Sequence, residues 1–551
     1  MLLLSLSSAF LQPPSTSQPR LSTPLLRAAP RAPTPVMRSR AEVLFVAAEH
    51  SASPLGGTSP EPSPPWGRVA RHLSRRLPAF DAQARLSASF LTPEELPRRA
   101  AAADVLVVLG VKHAGAAASL QAVGANAAAI VAYDCAEEIH AIQRVGPYVV
   151  APRGVRGAAQ AAAAALMPWG KVAQGKRLCE QAAMLFGRNS SEDALYALFF
   201  ILHALVLELD IVKYTVNPTW EKGPLRNAQE FWGMCTTCGA EIREALTDPE
   251  TKATIDLLNA CDMRDQVGSY RIIVSYETPQ LEQFSLCLLQ KNNVFGCDAR
   301  ILDEPRVPLL SQWRGERVDQ RVARQLFIGH FECDEAHPMS RASRLPWSWK
   351  VVCGANPAYD AFPAQHQIFY PSKKSSSALW YDPVFKVETL DGRSVWTKRH
   401  YRCMPRQVPA DLAGEYGSSA GAWTLTTLDN GVVSKEHWST VDAADDLSWI
   451  VFHYSGAAAV VGQSYLGGLL CSADGRWPRD ADYERIAAAF RRCGIEMWEL
   501  YGHGPPGLSS SFMWTPEHEV WEQSHPPPLD PIGDQTVQAW RASSKKQVDA
   551  A

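Results

Sequence analysis

Two acidic positions and one cysteine pair are the residues whose types and spacing could do chemistry. Asp360 closes the run Asn356-Pro357-Ala358-Tyr359-Asp360, directly after a strand-patterned segment. A carboxyl whose pKa is raised by apolar surroundings is a suitable general acid; the alternative is that Asp360 caps a turn after Asn356-Pro357. The second position is Glu436-His437-Trp438, inside a segment of period two. Adjacent strand residues face opposite sides of a sheet, so an inward His437 sends Glu436 outward. His437 would act as an acid when protonated near its ordinary pKa of about 6.5, or else be a satisfied core or rim residue. Cys235-Thr-Thr-Cys238 reads as half a zinc site or as a redox pair, but the second half of a metal site is missing.

The elements that must position these residues fall into a multidomain α+β chain. Residues 42–178 alternate β-branched runs, Val43 to Ala47, Asp104 to Gly110, Ala129 to Asp134 and Pro147 to Pro152, with helical stretches. That alternation predicts an open parallel α/β, Rossmann-like domain. No G-x-G-x-x-G follows its first strand and no phosphate-cradling lysine loop is present, so the domain reads as a structural or docking module. Residues 179–300 read as a helical, cysteine-bearing domain, and 301–345 as a linker. From 346 to 502 eight strands of period two are expected: Trp347 to Cys353, His366 to Tyr370, Leu379 to Leu390, Ser394 to Cys403, Trp423 to Leu428, Val432 to Val441, Trp449 to Tyr454 and Tyr465 to Ser472. Asp391-Gly392 and Asn430-Gly431 supply hairpin turns, and Asp480 to Cys493 an amphipathic helix stopped by Gly494. Eight antiparallel strands and a following helix make a lipocalin-like barrel able to hold one small apolar ligand.

The net charge is −3 with the signs evenly mixed, which recommends neither nucleic acid nor a basic partner. Residues 1–41 carry Arg20, Arg27, Arg31, Arg38 and Arg40 behind a short apolar run, a signal- and transit-like targeting composition. Ala194 to Leu207 is too short to span a membrane and reads as a buried helix opened by Ser190 and Asp193. Residues 503–551, with Pro526-Pro527-Pro528 and Lys545-Lys546, read as a disordered tail.

WSWKVVCGANPAYDAF (Trp347 to Phe362), LDNGVVSKEHW (Leu428 to Trp438), DDLSWIVFHYSGAA (Asp445 to Ala458), GQSYLGG (Gly462 to Gly468) and CGIEMWEL (Cys493 to Leu500) resemble the violaxanthin de-epoxidases, closest to their related branch in plants and algae. DQVGSYR (Asp265 to Arg271) and FSLCLLQKNN (Phe284 to Asn293) resemble the helical segment before that barrel. The resemblance implies a plastid protein of the thylakoid lumen or membrane surface, acting in the xanthophyll cycle on violaxanthin or a related epoxide carotenoid. Ascorbate would be its reductant, no metal or nucleotide is expected, and a homodimer is possible. It further implies Asp360 and His437 as catalytic candidates. Tyr359, Phe362, Gln365, Trp438, Tyr454 and Tyr465 are the implied substrate contacts, and Cys235, Cys238, Cys261, Cys287 and Cys297 the disulfide candidates.

The sequence also departs from that family. A histidine, His437, stands where the active enzymes place an aspartate before the Trp of the sixth strand. Gln367 and Tyr370 stand where they carry pH-switch histidines on the second strand, with His366 of opposite parity alongside. Trp347 replaces the usual glycine two residues before the first-strand Trp349, and Ala245, Thr251, Leu257, Gly268, Ile272 and Val294 stand where relatives carry further cysteines. The missing aspartate and missing switch histidines favour the alternative of a non-catalytic xanthophyll-binding or assembly lipocalin.

Overall fold

In the computed structural model the described residues are 40–502, apart from 57–58, 60, 81–84, 97–102, 151–154, 168–169, 210, 213–227, 262–263, 304, 330–348, 363–364, 373–376, 414–417 and 474. The targeting segment 1–39, Trp347 and the tail 503–551 lie outside them.

Strand β1 (Ala41–Ala47), helix α1 (Trp66–Ala79), β2 (Leu86–Leu91), β3 (Val105–Leu109), α2 (Ala116–Val123), β4 (Ala129–Tyr133), α3 (Glu137–His140), β5 (Arg144–Val145) and β6 (Tyr148–Val149) build a sheet of order β2-β1-β3-β4-β5-β6. β1 to β4 run parallel, and β1, β3 and β4 are largely apolar on both faces, because helices cover both. β5 and β6 are antiparallel two-residue strands, so the sheet is mixed and the wholly parallel Rossmann-like expectation is not confirmed. The strand expected at Pro147 to Pro152 is one arm of this hairpin, and β2, with only its end residues buried, was not anticipated. The crevice beside the parallel strand ends, where ligands of such sheets usually sit, is occupied by Trp66, whose indole N–H donates to Asp134 Oδ2 at 2.8 Å.

α4 (Val155–Leu166), α5 (Lys171–Gly187) and α6 (Ser191–Leu205) follow. Ser190 caps α6 by accepting from the Asp193 amide at 3.4 Å, and residues Ala194 to Leu202 of α6 are buried against the sheet and α1. No helix among the described residues is long and apolar enough to cross a membrane.

The helical region comprises α7 (Ala228–Thr237), α8 (Gly239–Thr247), α9 (Pro249–Ala260), α10 (Gln266–Ser275) and α11 (Pro279–Ser285), which runs on into a π-turn at Leu286–Lys291. Asp248, Asp265 and Thr278 cap α9, α10 and α11 through the amides of Thr251, Gly268 and Leu281. A Cys238–Cys287 disulfide ties α8 to the π-turn. Cys235 and Cys297 are unbridged among the described residues.

The segment read as a linker holds the hairpin β7 (Gln312–Trp313) and β8 (Glu316–Arg317) and helix α12 (Gln320–Ile328), capped by Asp319. The barrel is β9 (Trp349–Gly354), β10 (Gln365–Pro371), β11 (Leu379–Glu388), β13 (Tyr401–Pro405), β14 (Ala422–Asp429), β15 (Val432–Ala443), β16 (Trp449–Ala458) and β17 (Gln463–Ser472). Each pairs antiparallel with the next, and β9 closes the ring by pairing both β17 and β10. β12 (Ser394–Lys398) folds back on the far end of β11, so the single strand expected from Ser394 to Cys403 breaks at Arg399 and His400. Asn430-Gly431 forms the two-residue β14–β15 turn with both residues at positive φ, 46° and 78°. α13 (Ala358–Ala361) follows β9, helix α14 (Tyr483–Arg492) packs on the outer barrel wall, and β18 (Tyr501–Gly502) adds to β9.

α12 closes one end of the barrel. Its Phe327 ring lies 4.9 Å from both Phe369 and Phe452 and 5.5 Å from Trp423. The Trp349 indole N–H donates to the carbonyls of Leu326 and Phe327 at 3.2 and 3.0 Å, which the helix end would otherwise leave unpaired.

Candidate active site in the barrel

The inner face of β15 carries Glu436 and Trp438, and its outer face Lys435 and His437. This reverses the side that sequence parity would give with an inward His437. The register explains it: Trp438 stands opposite Tyr454 and Trp423 in the ring-packed interior, and side chains two apart share a face. The Trp438 ring stacks on Tyr454 at 5.5 Å and lies 5.3 Å from Tyr381.

Glu436 is 8 % exposed. Its Oε2 accepts the Trp438 indole N–H at 2.6 Å, and its Oε1 accepts the hydroxyls of Tyr465 at 2.7 Å and Tyr401 at 3.4 Å. Burial pushes the carboxyl above its ordinary range, although these three donors pull the other way. Burial also raises the phenols of Tyr381, Tyr401, Tyr454 and Tyr465, so they stay protonated and serve as donors. Gly456 stands directly across the β15–β16 ladder from Glu436, and a Cβ there would collide with the Tyr465 ring. That glycine is what lets Tyr465 reach the carboxylate. A buried carboxyl ringed by neutral donors is a proton donor in its acid form and an oriented acceptor in its ionised form.

His437 accepts from Arg406 Nη1 through Nδ1 at 3.0 Å, since a guanidinium can only donate. Burial, reinforced by Arg406 and Lys435, lowers its pKa to about 4. It therefore stays neutral through the range where an acid near 6.5 was expected.

The remaining candidates divide. Asp360 lies on α13 at the barrel end away from α12; its side chain is outside the described residues. Tyr359 is buried beside it and shares a hydroxyl hydrogen bond with Tyr454, which brings Tyr359, Tyr454, Trp438 and Tyr465 into one group around Glu436. Gln365 donates to the carbonyls of Ala358 at 2.9 Å and Phe362 at 3.1 Å, so its amide holds α13 in place. Phe362 stacks on Phe385 at 5.1 Å and meets Tyr270 of α10 edge-on at 5.9 Å, at the contact between barrel and helical region.

Of the positions replacing the switch histidines, Gln367 points inward and accepts from the Tyr381 hydroxyl. Tyr370 points outward and donates to Asp382 at 3.2 Å. Asp382 is fully buried and also meets His400 Nδ1 at 2.6 Å, a cluster the sequence did not suggest. His366 is fully buried on the outward side, its ring 6.1 Å from Trp396.

Sequence reasoning passed over Glu436, yet a signal for it existed. Lys435 belongs on the solvent side of a half-buried strand, and it shares its parity with His437, not with Glu436.

A closed eight-stranded antiparallel barrel with a helix across one end, a second helix on its wall and an acid buried among aromatic rings is a lipocalin-like architecture. Residues 230–502 match the family model of the VDE lipocalin domain, and through that region the chain belongs to the violaxanthin de-epoxidase family. No curated protein matches. Among solved structures, lobster apocrustacyanin A1 is 11% identical over 36% of this chain and 91% of its own, with a TM-score of 0.21. H1 crustacyanin from the lobster Homarus americanus is 10% identical over 30% and 78%, with a TM-score of 0.20. A dog lipocalin allergen is 12% identical over 28% and 89%, with a TM-score of 0.20. The barrel assignment itself rests on the strand register.

Proposed function

We propose that this protein is a xanthophyll-binding, violaxanthin de-epoxidase-like enzyme in which Glu436 is the proton donor. The observation that carries the reading is a carboxyl buried among Trp438, Tyr401 and Tyr465 and held above its ordinary pKa. An epoxide oxygen leaves a carbon only as it gains a proton, and a neutral carboxyl in an apolar wall supplies one. Reduction of the epoxide to an alkene then takes two electrons and a second proton and releases the oxygen as water; ascorbate, by the family resemblance, would give the electrons and become dehydroascorbate. Tyr465 and Tyr401 would stabilise the carboxylate left behind. Asp360, on α13, is the second candidate acid. In this reading the protein works in the plastid, at the thylakoid membrane surface, as a monomer or homodimer.

A second reading, a non-catalytic xanthophyll-binding or assembly protein, is favoured by His437, Gln367 and Tyr370, which stand where the enzymes this chain resembles carry an aspartate and histidines. Incubating the purified full chain with violaxanthin and ascorbate at pH 5, followed by pigment chromatography, separates the two. Loss of epoxide groups that depends on ascorbate supports the enzyme. Saturable binding with unchanged pigment supports the carrier.

A further inference from the structure

A cavity of about 210 Å³ lies at the junction of the α/β domain and the barrel. At about 30 Å³ per water it has room for about seven waters, or for one small molecule. One side is formed by Arg76 of α1 and by Arg188, Ser190 and Ser191 at the start of α6, the other by Leu466 of β17 and Trp498.

Three sources of positive potential converge on it. Arg76 is 9 % exposed; its Nη1 meets Glu499 at 3.3 Å, while its Nη2 is buried with no hydrogen-bond partner. A buried guanidinium N–H without an acceptor is costly, so the arrangement is short of one acceptor. Arg188 is a half-buried second guanidinium, 3.8 Å from Asp193. The 15-residue helix α6 points its N-terminus here, where first-turn amides have no intrahelical acceptor. The acidic neighbours are already engaged: Glu499 by His72 at 2.9 Å, by Arg76 and by the Ser191 hydroxyl, and Glu192 by Arg264 at 3.4 Å.

We infer that this interdomain cavity is a binding site for a small oxyanion, a carboxylate- or phosphate-bearing molecule held by Arg76, Arg188 and the N-terminus of α6. Its floor is the outer side of β17 at Leu466, and the neighbouring residue on the inner side, Tyr465, donates to Glu436. An occupant would therefore bear on both domains and stand two strands away from the buried acid, behind Tyr465.

The test is calorimetric titration of the full chain with inorganic phosphate and, separately, with malonate, at constant ionic strength against chloride. One-to-one saturable binding of at least one of the two is expected, and which one binds separates phosphate from carboxylate ligands. Binding should weaken at least tenfold in Arg188→Gln, which leaves the Arg76–Glu499 contact intact, and in Arg76→Gln if that variant folds. Absence of saturable heat with both anions in the folded wild type would overturn the site. So would unchanged affinity in Arg188→Gln.

Discussion

The Trp438 indole donates to the Glu436 carboxylate at 2.6 Å from two residues further along the same strand, so one side chain both walls the barrel interior and fixes the acid within it. The pair shares a face by the plain geometry of a strand. Its local fixing makes Glu436 a better-defined acid than a group reaching in from a loop.

Glu436→Gln keeps the size of the side chain but cannot supply a proton. De-epoxidation should fall roughly 10²- to 10⁴-fold, with xanthophyll binding kept, as read by saturable quenching of tryptophan fluorescence. If Asp360→Asn abolishes turnover while Glu436→Gln leaves it unchanged, the acid is Asp360.

His437 should have no part in the pH dependence of activity between pH 5 and 7.5, and His437→Gln should leave that profile unmoved. Its imprint falls on stability instead. With a folded pKa of about 4 against an ordinary 6.5, it is neutral in the folded chain where the unfolded chain is charged. Its contribution is therefore full above about 6.5 and is lost as pH falls toward 4. Urea midpoints measured at pH 7 and pH 5 should differ less in His437→Gln than in the wild type.

Phe327→Ala removes the ring that fills one end of the barrel. Stability should drop by about 3–5 kcal/mol, read by urea denaturation. If the interior is where the polyene lodges, the same variant should bind violaxanthin at least as tightly as the wild type, because space has been opened. Weaker binding in a folded variant would place the pigment elsewhere.

Cys287→Ser should cost about 2–5 kcal/mol, the usual effect of losing one native bridge. Peptide mapping without reductant should recover Cys238 linked to Cys287 and leave Cys235 alkylatable.

The barrel was legible because period-two patterning and the Asn430-Gly431 turn are local signals, and local signals survive in one dimension. The fourth strand was misread because the break at Arg399 has a distant cause: its guanidinium pairs with Glu277 at 2.6 Å and Asp429 at 2.9 Å, partners far off in the chain. β2 went unseen because an edge strand buries little and shows no clean alternation. The site was half legible. Trp438, Tyr454 and Tyr465 were anticipated, but whether Glu436 or His437 faces inward is a one-residue parity that only the packed register decides. Helix α12 carried the apolar spacing of Val322, Leu326 and Phe327, yet it lay in a stretch whose surroundings suggested a linker.

The grip of Trp349 on the last carbonyls of α12 bears on how the chain is made. The stopper of this vessel leaves the ribosome before any of its walls, and Phe327 has no niche until Phe369, Trp423 and Phe452 have followed it. During that interval the apolar face of an amphipathic helix waits uncovered, and a chain that stalls before β16 is left with an open and adhesive end. A fragment begun at residue 346 has the opposite defect, a finished wall around an unfilled hollow. A fragment intended to fold alone should therefore begin upstream of Trp313, whose indole N–H donates to the Ala444 carbonyl at 3.1 Å.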